Sequence, residues 1–188
     1  MRTQSVYKST RSSVSKEEQA TTSASGRRQA WTTVKQAART REVPREEVLA
    51  ALEQLERAAS GSEGPKETAG TLQDLAGSWR LVFSAPGAIK QWEYIPVAED
   101  VIYNTDSNTI ALASDLGPLR TVFKGSFSWD ASKRSMQFGF SQVELTLFGR
   151  TFTRDLGGSQ KTYDFFAIGE TCACARSSRG PLTLLARV

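Results

Sequence analysis

Histidine is missing altogether from this 188-residue chain, and cysteine occurs only twice. Without an imidazole, Ser-His and Cys-His nucleophilic catalysis are excluded. Two thiols alone leave a zinc or other transition-metal centre short of ligands. Cys172 and Cys174 would lie about 7 Å apart on one face of a strand, too far to bridge without distortion. They read as reduced, small apolar residues. No stretch approaches the roughly 18 consecutive apolar residues that a membrane-spanning helix needs, so any membrane attachment would be peripheral. The acidic pairs Glu46-Glu47 and Glu99-Asp100 fit a helix start and a turn rather than a catalytic carboxylate pair. Gly157-Gly158 and Gly61-Ser-Glu-Gly64 lack the strand-to-helix setting and Lys-Ser/Thr ending of a phosphate-binding loop. The reading is a non-enzyme with no cofactor and no metal.

The net charge of +4 is unevenly spread. Residues 1–41 carry nine Lys/Arg against two Glu, whereas residues 42–188 carry fifteen against eighteen acids. A nucleic-acid-binding domain would hold its basic patch on the folded part, interleaved with stacking aromatics, so no nucleic-acid partner is expected. Residues 1–28 hold eleven Ser/Thr and six Lys/Arg and almost no bulky apolar side chain. They cannot bury enough surface to offset the entropy of ordering. This composition fits an organelle transit peptide, or a plain disordered basic tail.

Three parts follow along the chain: the tail 1–28, a helical segment and linker 29–70, and a β domain 71–188. Within the second part, residues 29–41 fit a short helix with Trp31, Val34 and Ala38 on one side. A firmer helix begins after Pro44, with Glu46 and Glu47 in its first turn and Val48, Leu49, Leu52, Leu55 and Ala59 at helical spacing. Gly61-Ser-Glu-Gly-Pro65 ends it. From Ser78 onward short alternating runs predict strands at 78–84, 91–97, 100–104, 108–114, 119–129, 134–148 with an interruption, 161–168, 170–176 and 182–187. Their roughly ten-residue spacing favours antiparallel hairpins. The expected fold is therefore mainly β, an antiparallel lipocalin-like barrel of about eight or nine strands behind one or two N-terminal helices.

The aromatic residues concentrate on one strand face. Leu119, Thr121, Phe123, Gly125, Phe127 and Trp129 share a parity, and so do Met136, Phe138 and Phe140. Val143, Leu145 and Leu147 fall on the opposite parity, which predicts a bulge near Ser141-Gln142. A barrel of this size is either filled by side chains or holds one small ligand. The candidate cavity residues are Phe83, Trp92, Tyr94, Phe123, Phe127, Trp129, Phe138 and Phe140. Gly125 is expected to be a wall position able to carry a bulky residue without harm to the fold.

The helix with Val48, Leu52 and Leu55-Glu56 precedes a strand with Leu75, Gly77, Trp79, Leu81 and Phe83 at Leu-x-Gly-x-Trp-x-Leu-x-Phe spacing. The chain closes on Arg176-Ser-Ser-Arg179-Gly180 and an apolar strand that includes Arg187. In this order the features resemble the plastid lipid-associated protein family, or plastid fibrillins, over about residues 42–188. The resemblance implies a plastid protein at thylakoids or plastoglobules that binds or buffers lipids, carotenoids or prenylquinones, with no catalytic residues. It also implies that Gly77, Trp79, Arg176, Arg179, Gly180 and Arg187 are structural, with Trp79 anchoring the closed end. Arg187, in preference to Arg176, would cover the indole by a cation–π contact. The rival reading is a scaffold that coats a lipid body or recruits a biosynthetic enzyme by its outer surface.

Overall fold

Nine antiparallel strands follow two helices in the computed structural model, which describes residues 24–60, 70–85 and 94–188. The helices are α1 (24–40) and α2 (Arg45–Ser60). The strands are β1 (Gly77–Ala85), β2 (Glu99–Asn104), β3 (Thr109–Leu116), β4 (Leu119–Asp130), β5 (Ser135–Leu147), β6 (Arg150–Asp155), β7 (Lys161–Ile168), β8 (Cys172–Ser177) and β9 (Leu182–Arg187). Their order is β4-β3-β2-β1-β9-β8-β7-β5, and a β4–β5 pairing closes the ring at eight strands. Closure removes the exposed edges of an open sheet, except that β6 hangs on β5 outside the ring. The expected mainly β antiparallel barrel behind N-terminal helices is thus the fold observed.

Two apolar clusters lie on the two sides of the barrel wall. Inside are Trp79, Val101, Tyr103, Ile110, Phe127, Met136, Phe138, Phe165 and Leu185, with Leu75 of a 3₁₀ turn (Gln73–Leu75) as the floor. Outside, both helices pack on β1, β7, β8 and β9. Ala30, Val34 and Ala37 of α1, and Val48, Ala51, Leu52 and Leu55 of α2, meet Val82, Phe166, Cys172, Cys174 and Leu184. The 3.6-residue period of each helix explains which positions turn inward. Residues 24–28, assigned from composition to the tail, belong to α1, and Val34 is fully buried. The packed unit therefore includes α1, which lies ahead of the stretch over which the family resemblance runs. Residues 1–23 of the expected tail lie outside the described residues.

Bulges decide several side-chain directions. On β5 the register with β4 jumps between Lys124↔Gln142 and Gly125↔Phe140, leaving Ser141 extra, at the expected place. On β1 the register with β9 shifts between Leu81 and Phe83. Val82 is the extra residue, so Phe83 sits opposite Leu184 on the helix-covered side. β6 was not predicted, and its Arg-Thr-Phe-Thr-Arg-Asp sequence carries one large apolar residue. The strand predicted at 91–97 is not observed: residues 91–93 lie outside the described residues, and Tyr94 makes a single bridge to Phe83.

Candidate functional site

Trp79 defines the closed end. Its ring is fully buried, and its Nε1–H donates to the Leu75 carbonyl at 2.8 Å. Gly77, at φ 108°, makes the turn from the 3₁₀ segment into β1 that a side chain would strain. Arg187 opposes Trp79 in register and lies 4.2 Å from the ring centroid. The same guanidinium donates to the carbonyls of Asp74, Ala76 and Glu170, tying floor to wall. The expected preference for Arg187 over Arg176 is met. Arg176 instead grips Glu56 of α2 through two donors, at 2.5 and 2.6 Å, and donates to the Gly180 carbonyl at 2.7 Å. Arg179 and Gly180 are exposed in the β8–β9 turn.

From the floor towards the other end runs a ladder of rings. Trp129 contacts Phe165 at 6.0 Å, Phe165 contacts Tyr163 at 6.2 Å, and Tyr163 contacts Phe138 at 5.2 Å. Phe138 then meets Phe140 at 5.8 Å, and Phe140 meets Phe123 at 5.7 Å. Centroid separations of this kind are those of attractive tilted and edge-to-face pairs. Phe138 and Phe165 are buried, whereas Trp129, Tyr163, Phe140 and Phe123 are half-buried. The ladder thus runs from the β4–β5 turn, at the floor end, to a mouth at the start of β4 and the end of β5. Phe127 stands inside beside it, edge-on to Tyr103 at 6.3 Å.

Five of the candidate cavity residues, Phe123, Phe127, Trp129, Phe138 and Phe140, belong to or pack on the inner cluster. Two are corrections. Phe83 and Tyr94 lie outside the barrel, stacked edge-to-face at 5.4 Å among the helix-packed residues. The bulge at Val82 turned Phe83 outward, and the Tyr94 hydroxyl donates to the Val43 carbonyl at 2.8 Å between the helices. Trp92 lies outside the described residues. Gly125 is a third correction. A Cβ there would stand 1.8 Å from the Gly139 carbonyl oxygen, so the position tolerates no side chain, let alone a bulky one.

Sequence reasoning missed Tyr103, Tyr163 and Phe165, and it read Glu99-Asp100 as a turn, whereas the pair opens β2. The Tyr103 hydroxyl is buried with no hydrogen-bond partner among the described residues, and burial raises its pKa strongly. An unpaired buried hydroxyl is costly, and this one lies in the apolar inner cluster. Burial also raises Tyr163, partly offset by a hydrogen bond with Thr183. Near the mouth, burial lifts the Glu99 carboxyl above its ordinary range while the Lys161 ammonium pulls it down. The only available signal was parity: Lys161, Tyr163 and Phe165 alternate on one face of β7.

Two open hollows are found among the described residues. One of about 330 Å³ is lined by the outward-parity Ser126, Ser128 and Gln137 and also by Phe127, Phe138 and Phe140. The other, about 540 Å³, lies between α1 and the β8–β9 end, beside Lys35, Arg39 and Arg187. Neither is lined by the aromatic ladder as a whole. No group of three or more His, Cys, Asp or Glu suited to a metal occurs among the described residues. Both cysteines are free and buried beneath the helices.

Floor, ladder and mouth together define a closed eight-stranded antiparallel barrel with an apolar, aromatic interior. No family model matches the chain, and no curated protein matches it.

Proposed function

We propose that this protein is a non-catalytic carrier, similar to plastid fibrillins, that takes up or buffers a long apolar molecule in its barrel at thylakoids or plastoglobules. The observation that carries the reading is the six-ring ladder from Trp129 to Phe123, a continuous run of ring contacts along the barrel interior. A hydrocarbon tail sliding along it would gain roughly 25 cal/mol for each Å² removed from water. Burying roughly 300 Å² of apolar surface would therefore contribute about 7.5 kcal/mol before the costs of association. The unpaired Tyr103 hydroxyl supports a ligand that ends in a hydrogen-bond acceptor, such as the ring carbonyl of a prenylquinone. Pairing it would relieve the burial penalty without requiring a charged group.

The test is titration of the full chain with a prenylquinone, followed by tryptophan fluorescence. Saturable quenching is expected, because Trp129 is the inner end of the ladder. Tyr103→Phe should weaken a prenylquinone about tenfold, the worth of one good buried hydrogen bond, and leave a pure hydrocarbon tail unaffected. Absence of saturable binding for prenylquinone, carotenoid and acyl lipid, with none in an organic extract of the purified protein, would leave the scaffold reading in its place.

A further inference from the structure

Beyond the mouth the sheet does not stop. β5 pairs with β7 over Ser135–Phe138 but with β6 over Gln142–Leu147, so the ends of β3 and β5, the start of β4 and all of β6 project as a four-stranded apron. Its register continues the barrel's inner face. Leu116 faces Leu119, Leu119 faces Leu147, and Leu147 faces Arg150, while Leu145 faces Phe152. Here the inner-parity residues meet water instead of a core. Of seven exposed large hydrophobic residues among the described residues, five are on the apron: Leu116 54%, Leu145 39%, Leu147 41%, Phe148 81% and Phe152 63%. Such concentration distinguishes a contact surface from scattered surface apolars.

Phe148 adds an independent observation. It sits with Gly149 at the β5–β6 hairpin tip at φ 47°, a left-handed conformation that suits Asn or Gly and strains a bulky aromatic side chain. A ring so placed costs conformational strain and hydration together, and it gains no packing within the chain in return. Charge completes the pattern. On the apron's other face Lys124 pairs with Glu144 at 2.6 Å and Arg120 with Asp115 at 3.7 Å, and Asp155 adds a carboxylate, so that side carries no excess of positive charge. Arg150 and Arg154 share the apolar face and have no ion pair among the described residues.

We propose that the apron docks on an anionic lipid surface, with Phe148, Phe152, Leu116 and Leu147 inserted among acyl chains and Arg150 and Arg154 on the headgroup phosphates. This deepens the carrier reading and rests on it for one element: the apolar path from the membrane, across the apron, to Phe123 and the mouth. A second copy of the chain fits less well, because face-to-face aprons would bring unpaired arginines together. Arginine beside exposed aromatic residues is what an interfacial site needs.

The experiment is flotation of the full chain with phosphatidylcholine vesicles, with and without phosphatidylglycerol at one part in three. Phe148→Ser combined with Phe152→Ser, both at exposed positions, is expected to weaken binding about tenfold or more, with circular dichroism and prenylquinone quenching unchanged. Arg150→Gln with Arg154→Gln should remove the preference for phosphatidylglycerol that the apron provides. Phe148→Trp is expected to give blue-shifted emission quenched by brominated acyl chains, a readout that the basic N-terminal region does not produce. Wild-type flotation by the double serine variant, or no quenching of the introduced tryptophan, would overturn the proposal. So would a concentration-dependent dimer abolished by the serine substitutions, which would assign the face to a second copy. Failure of prenylquinone binding with lipid docking intact would count against the carrier reading alone.

Discussion

Replacing Trp79 by alanine separates a structural floor from a ligand-contacting wall. The indole is fully buried, donates to the Leu75 carbonyl at 2.8 Å and lies 4.2 Å beneath the Arg187 guanidinium. Removing such a ring costs about 3–5 kcal/mol through lost transfer energy and the cavity left behind. Within that total the hydrogen bond contributes about 1 kcal/mol, and the cation–π contact about 0.5–2 kcal/mol. Because Arg187 also donates to three carbonyls, Arg187→Ala should itself destabilise the protein. The double variant should recover a coupling of about 0.5–2 kcal/mol, since neither partner retains its contact alone. Trp79→Phe keeps a ring under Arg187 and forfeits the N–H donor, so it should cost less than the alanine change. The assay is urea unfolding followed by circular dichroism, accepted where the slope matches wild type. Prenylquinone binding by the still-folded Trp79→Phe variant should be unchanged. A loss below about 1 kcal/mol for Trp79→Ala, strictly additive effects with Arg187→Ala, or lost binding with unchanged melting would refute the floor assignment.

Gly125→Ala is expected to destabilise the protein by more than about 3 kcal/mol through backbone overpacking, since its Cβ would stand 1.8 Å from the Gly139 carbonyl oxygen; wild-type melting of this variant would contradict the close approach. Glu99 has a pKa raised chiefly by burial, so its penalty is absent where the carboxyl is protonated in both folded and unfolded states, and grows as pH rises through the raised folded value. Glu99→Gln should therefore raise the melting temperature more at neutral pH than near about pH 4, and a pH-independent difference would rule this out. Burial pushes the Cys172 thiol up to about 11 and Cys174 upward as well. Both should stay unreactive to a disulfide reagent at pH 8 until urea unfolds the protein, and rapid native labelling would show that α1 and α2 do not cover them.

Much of this architecture was legible in the residues themselves. Alternation placed eight of the nine strands, and the parity change between Phe140 and Val143 located the Ser141 bulge, because a period of two leaves no other way to keep both apolar sets on one side. Helical spacing selected Val48, Leu52 and Leu55, which the fold buries. β6 escaped because it has one large apolar residue and is held by the free edge of β5 rather than by a core. The cavity set was half legible. Phe123, Phe127, Trp129, Phe138 and Phe140 follow simple parity on two long strands, whereas Phe83 obeyed the pattern only until Val82 interrupted the β1–β9 register.

Composition and periodicity determined a histidine-free, mainly β chain with an aromatic face, since those properties depend only on neighbours along the sequence. Tertiary structure decided what long-range pairing alone can set. Ring closure between β4 and β5 turned the aromatic face into an interior, the helices took the opposite face, and the divergence of β7 from β5 left Leu147 and Phe152 facing water. A local pattern says that two faces differ; which face becomes core depends on the partner that covers it, and that partner is distant in sequence.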